Sequence, residues 1–179
     1  MIKNRLLLFI NILLLVLLIS CNKSDTSNTE TIKVLDVNRQ LNFEVHKSED
    51  GITVNQLSAE NYLKKRFSLE NIVSYKDFKY SYNPSLSQGV ITMVGVDDTN
   101  QRWPIGVEFK IQNNKLESGP VGSTGTGHSC EGNPCSCCDF IYKSDGTTVK
   151  GCKCDTTTDE ADECVNLVDV VRCNHTNSQ

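Results

Sequence analysis

Catalytic signatures are what this chain of 179 residues most lacks. It has no G-x-S-x-G, no H-E-x-x-H and no Walker or Rossmann glycine pattern, so the common hydrolase, zinc-protease and nucleotide sites are not written into it. Only 3 histidines are present, which leaves few general bases. Positive charge is also scarce. The 18 Lys+Arg stand against 22 Asp+Glu, whereas nucleic acid calls for a basic stripe, so no nucleic-acid partner is expected. No apolar run reaches the about 20 residues of a membrane-spanning helix. There is no internal repeat. Cysteine is absent from residues 22–129, although the chain has 9, so a covalent framework is confined to the C-terminal part.

What is present begins with Lys3 and Arg5, followed by an apolar stretch from Leu6 to Leu18 broken once by Asn11. A charged front, a short apolar middle and a small-residue exit are the features of a secretory signal. The exit is Leu18-Ile19-Ser20-Cys21. It resembles the lipobox of bacterial lipoproteins, in which the cysteine thiol takes a diacylglycerol and the chain is cut just before it. The resemblance implies a signal peptide over 1–20, a lipid on Cys21 and the membrane as a partner through that lipid. Residue 22 is Asn rather than the Asp that retains enterobacterial lipoproteins in the inner membrane, which implies the outer membrane. Removal of 1–20 takes Lys3 and Arg5 and no acid, and leaves a net charge of about −6, so acyl chains rather than lysines would hold the protein to lipid. Residues 22–31 contain no apolar side chain and read, with Cys21, as a lipidated flexible tether over 21–31.

Period-two patterning starts at Ile32. Leu41, Phe43 and Val45 alternate with polar residues, as do Ile52 and Val54, and Asp50-Gly51 between them suits a hairpin. Ser58 is a candidate cap for a helix over 59–67, with Glu60 in its first turn and Lys64-Lys65-Arg66 as a solvated last turn. Phe78, Tyr80 and Tyr82 alternate again, Val90–Val96 reads as a strand buried on both faces, and Trp103 to Ile111 alternates strictly, with Pro104 expected at an edge or bulge. Tyr80, Tyr82 and Trp103 are either a packed sheet face or a ligand surface. The fold class is therefore mainly β, a β-rich α+β arrangement. It comprises a small antiparallel β domain with one short helix over 32–117, a Gly/Ser/Thr linker over 118–127 and a disulfide-rich module over 128–179. With no cysteine crossing the linker, residues 32–117 are expected to fold alone.

The eight remaining cysteines are Cys130, Cys135, Cys137, Cys138, Cys152, Cys154, Cys164 and Cys173. An even count in an exported chain reads as a disulfide framework, and a module this small needs one because it cannot bury enough apolar surface. Vicinal Cys137 and Cys138 are poor partners for each other. The segment between Cys164 and Cys173 is rich in β-branched residues and reads as extended, so both should reach back to the cluster at 130–154. Zinc on Cys135-x-x-Cys138 with Cys152, Cys154, His128 or His175 is the rival, and a redox-active Cys135/Cys138 pair a second one. The histidines otherwise read as exposed polar residues. The acid run Asp155, Asp159, Glu160, Asp162 and Glu163 reads as a solvated loop rather than a calcium site. Asp155-Thr156-Thr157 resembles the Asp-Thr-x signal for bacterial O-glycosylation, and the block from His128-Ser129-Cys130 to Gly151-Cys152-Lys153-Cys154 is similar to cysteine modules at the ends of other small lipoproteins.

These readings describe a lipid-anchored cell-envelope protein that acts as a non-enzymatic binding or structural module and needs no cofactor. The alternative is an envelope metal-binding or thiol-redox protein that uses the cysteine cluster. Replacing Cys21→Ser should shift the protein from the membrane to the soluble fraction, or leave the unprocessed precursor. Wild-type processing and membrane retention of that variant would refute the lipid attachment.

Overall fold

The computed structural model describes residues 29–36, 38–111, 121–133, 138–154 and 172–178. The signal, Cys21, most of the tether and the acid run lie outside these residues. In chain order the elements are β1 (Glu30–Asp36), β2 (Leu41–Ser48), β3 (Gly51–Val54), α1 (Gln56–Phe67), β4 (Ile72–Asn83), β5 (Gln88–Asp97), β6 (Arg102–Ile111), β7 (Val121–Asn133), β8 (Cys138–Tyr142), β9 (Val149–Cys154) and β10 (Arg172–Ser178). The described residues are thus mostly β with one short helix.

One sheet runs β3-β2-β1-β7-β6-β5-β4, and β10 pairs with β7 off that path. Its pairings are antiparallel except β1 with β7. β7 is long enough to serve two neighbours along one edge. Val121–Ser123 pair with Lys33–Leu35 of β1, while Gly127–Asn133 pair with Arg172–Ser178 of β10. Its other edge pairs with β6 through Gly122–Ser129.

Two expectations change here. Residues 121–127, read from composition as linker, form the first half of β7, because their main chain pairs with β1 at Val121–Ser123 and with β6 at Gly122–Thr124, which offsets the poor strand preference of Gly. The division at 118–127 is therefore crossed by the sheet. β1 also starts at Glu30, two residues inside the stretch read as tether, because Glu30 and Thr31 pair with Lys47 and His46.

The sheet curls around α1. Phe43 on β2 and Phe109 on β6 meet with ring centroids 5.4 Å apart, although three strand spacings, roughly 14 Å, separate their strands along the sheet. Register shifts in β4–β5 and β6–β7 supply bends. The front core gathers Ile32, Val34, Phe43, Val45, Ile91, Met93, Ile105, Val107, Phe109 and Ile111 under Ala59, Tyr62 and Leu63 of the helix. Val90–Val96 is buried on both faces, as its nearly all-apolar run, interrupted by Thr92, implied. Tyr82 packs against this core, the Trp103 indole N–H donates to Asp97 at 3.1 Å and Tyr80 is exposed, so the three aromatics do not share one packed face. Pro104 lies in an interior strand, opposite Val94. Pairing with β7 begins only at Ile105, so on that side Pro104 leaves no ladder bond unmade.

The helix is also corrected. Asn55, not Ser58, caps it by accepting the Ser58 N–H at 3.1 Å, and Glu60 consequently lies beyond the first turn. Within the basic run Lys65 is exposed, Lys64 reaches over the Tyr75 ring, and Arg66 is buried. Arg66 shares the inner helix face with Ala59, Tyr62 and Leu63, the positions that repeat at three and four residues. It pairs with buried Asp36 and donates to the Tyr62 hydroxyl at 2.7 Å and to the Ser178 carbonyl of β10 at 3.3 Å. Burial pushes the Tyr62 phenol up to about 12, although Arg66 acts against the shift. Gly127 makes room for this arginine: a Cβ there would lie 2.8 Å from the guanidinium and 2.7 Å from Ser178 Oγ.

A chain ending at residue 117 lacks β7, the only strand joining β1 to β6 among the described residues. It should lose the cooperative melt and most strand circular dichroism, contrary to the self-sufficiency expected from composition. A cooperative transition matching the intact protein would show that β7 is dispensable.

Candidate functional site

Alternation along β5, β6, β7 and β10 places a second set of side chains on the back of the sheet. Val90 and Cys130 from the sheet pack with Cys138, Phe140 and Val149 from the β8–β9 hairpin. The hairpin pairs Cys138–Tyr142 with Val149–Cys154. Its turn is held by Asp145, whose carboxylate accepts the Thr147 and Thr148 N–H groups and the Thr148 hydroxyl, and these bonds lower it to about 2. Gly106 lets the hairpin lie close, since a Cβ there would meet Phe140 at 3.2 Å and Thr92 at 2.9 Å.

Two disulfides stitch the hairpin down. Cys130 of β7 bonds Cys152 of β9, and Cys138 of β8 bonds Cys173 of β10, each with Cα atoms 5.9 Å apart. Cys154 is disulfide-bonded as well. Cys173 therefore reaches back to a member of the 130–154 cluster, and Cys138 does not bond its neighbour. Cys135, Cys137 and Cys164 lie outside the described residues. Among the described residues no three His, Cys, Asp or Glu side chains gather as a metal site.

On one side of Phe140 a cleft of about 140 Å³ opens between β8 and strands β4 to β6. Val94, Pro104 and Phe140 give it apolar walls, and Lys79, Arg102, Asp77 and Asp139 bring charges of both signs. Arg102 donates to Asp77 at 3.0 Å. Asp77 stands at a register shift of β4 with φ +56°, a left-handed conformation that Asp tolerates better than most residues.

On the other side of Phe140 lies a polar chain that sequence reasoning missed. His128 is buried, only 4% exposed, rather than an exposed polar residue. Its Nε2 lies 3.2 Å from Glu108 Oε1, angled away from a straight hydrogen bond. Its Nδ1 lies 3.0 Å from His175 Nε2 and 2.9 Å from Asn177 Oδ1. The Val149 N–H donates to Glu108 Oε1 at 2.8 Å, which ties the chain to the hairpin. Burial pushes Glu108 up, but the His128 contact and the Val149 N–H outweigh it and hold the carboxyl below its usual range. A signal for this cluster existed: His128-x-Cys130 and Cys173-x-His175-x-Asn177 place these side chains on the cysteine face if both segments are strands.

Comparison with family models, curated proteins and solved structures gives no match for the chain. The fold and site define a curled β sheet with a helix in its concavity and a disulfide-stitched hairpin on its back.

Because Cys138–Cys173 joins β8 to β10 across 35 residues of sequence, removing it frees a long loop in the unfolded chain. The double replacement Cys138→Ser/Cys173→Ser should cost about 2–4 kcal/mol in urea unfolding. A loss below about 0.5 kcal/mol would mean that the surrounding contacts alone set the hairpin's position.

Proposed function

We propose that this is a lipid-anchored protein of the cell envelope, tethered to the outer membrane through Cys21. We further propose that it works as a non-enzymatic binding module whose back-face cleft receives a small zwitterion. The tether rests on Leu18-Ile19-Ser20-Cys21. Disulfides at Cys130, Cys138, Cys152, Cys154 and Cys173 support an oxidising compartment and leave these five sulfurs without the thiolate that metal binding or thiol exchange would need.

The observation that carries the binding reading is the cleft's lining. Lys79 and Arg102 can meet a carboxylate, Asp77 and Asp139 an ammonium, and Val94, Pro104 and Phe140 the apolar body between them. Its 140 Å³ falls well below the about 300–1,000 Å³ of pockets for drug-sized ligands, which restricts the occupant to the size of an amino acid.

Amide chemical-shift mapping with free leucine as the probe tests the reading. Saturable shifts should cluster at Lys79, Thr92, Arg102 and Asp139, and should weaken when N-acetylleucine or leucine amide, each lacking one charge, replaces leucine. Shifts that are absent, or equal for the three probes, would refute the zwitterion site.

A further inference from the structure

A second recess lies where α1 meets the start of β2, and it shares no residue with the cleft beside Phe140. Ser58, Asn61, Tyr62 and Lys65 follow one another at three- and four-residue spacing, so they form one stripe along the helix. This stripe flanks the buried face of Ala59, Tyr62, Leu63 and Arg66 and has Tyr62 in common with it. The other wall is Gln40, in the turn before β2, with Leu41 and Asn42, the first two residues of that strand. The recess holds about 310 Å³, which reaches the lower end of the about 300–1,000 Å³ of ligand pockets.

A helix that needed only to close against a strand would line such a seam with apolar side chains, and here Leu41 is the one aliphatic residue. The Gln40, Asn42 and Asn61 amides and the Lys65 ammonium have no hydrogen-bond or ion-pair partner among the described residues. The neighbouring cation differs, because Lys64 pairs with Glu60 at 3.7 Å and lies 5.2 Å over the Tyr75 ring. Ser58 is engaged as well: its hydroxyl donates to the Asn55 carbonyl and accepts the Glu44 N–H. Gln40 has φ +54°, a left-handed conformation that glutamine rarely adopts, and such outliers gather at ligand sites.

The chemistry of these side chains narrows the occupant. Each amide offers a carbonyl acceptor beside N–H donors, which suits a hydroxyl because a hydroxyl both donates and accepts. Three amides on one recess suit several hydroxyls on one ring. Lys65 adds a single positive charge and no Asp or Glu lines the recess, so a carboxylate there meets a cation and no repulsion. A nucleobase is a poor fit, since Tyr62 is only 2% exposed and shows no ring face for stacking. An acyl chain would find only Leu41.

We propose that this recess binds an acidic sugar, a hydroxyl-rich ring with one carboxylate: Gln40, Asn42 and Asn61 take its hydroxyls and Lys65 its carboxylate.

Amide chemical-shift mapping on the intact, disulfide-bonded protein tests the site, with glucuronate as the probe and glucose and acetate as its two halves. Saturable shifts should cluster at Gln40, Asn42, Asn61 and Lys65. Glucuronate should bind about two- to fivefold tighter than glucose, the size of an exposed ion pair. That advantage should vanish in about 1 M salt and in the Lys65→Gln variant, while acetate leaves these amides unmoved. Asn61→Ala puts a better helix former at an exposed position, so the fold is kept, and it should weaken both sugars about three- to tenfold. Absent shifts, equal shifts with acetate, equal affinity for glucose and glucuronate, or unaltered binding by Asn61→Ala would each overturn the proposal. This experiment and the one with leucine fail separately, because the two recesses have no residue in common.

Discussion

The backbone ladder along β7 is the constraint on which the rest of the structure depends. One edge of this strand is given wholly to β6, and the other is divided end to end between β1 and β10. Without it the β1–β3 segment and the β4–β6 segment would be two separate pieces of sheet, each with an unpaired edge. The same strand carries Cys130, and so it also anchors the covalent framework of the hairpin. Its first half is poor in apolar side chains. Its place in the sheet comes from main-chain hydrogen bonds on both sides, with Gly127 leaving the space that Arg66 occupies.

The last strand is held from both faces by buried polar groups. In front, Arg66 bridges Asp36 of β1 and the Ser178 carbonyl of β10. Behind, His128 bridges Glu108 of β6 to His175 and Asn177 of β10. Removing one partner of a buried pair commonly costs about 3–5 kcal/mol, because the charge left behind has lost water and gained nothing. A strand of seven residues with almost no apolar side chains is thereby fixed in one register. The disulfide to Cys138 adds a covalent limit to how far it can move. These attachments differ in what they respond to: the guanidinium stays charged across ordinary pH, whereas His175 is an imidazole that burial, and then the charge of His128, hold below the usual range.

Much of the front sheet was legible because one face of it is wet. Phe43 and Val45, or Ile105 to Ile111, alternate with polar residues, and that period survives in the sequence. Arg66 was legible in principle, since Ala59, Tyr62, Leu63 and Arg66 mark one helix face, yet three consecutive cations look like a solvated run. β7 was not legible as a strand: its composition is that of a loop, and only the pairing supplied by distant segments makes it strand. His128 was hidden for the same reason, because its burial depends on the hairpin that covers it.

By itself the sequence determined the β-rich class, the strand and hairpin periodicities, the position of the helix and the concentration of disulfides in the last fifty residues, all of which follow from local patterns of apolar, turn and cysteine residues. Tertiary structure alone decided that the cysteine-rich hairpin lies on the back of the same sheet, that β7 joins its halves, and that Glu108, His128 and His175 meet. The two contacts of His128 connect residues 20 and 47 positions apart in the chain, and no local pattern encodes which of the possible long-range pairings the chain adopts.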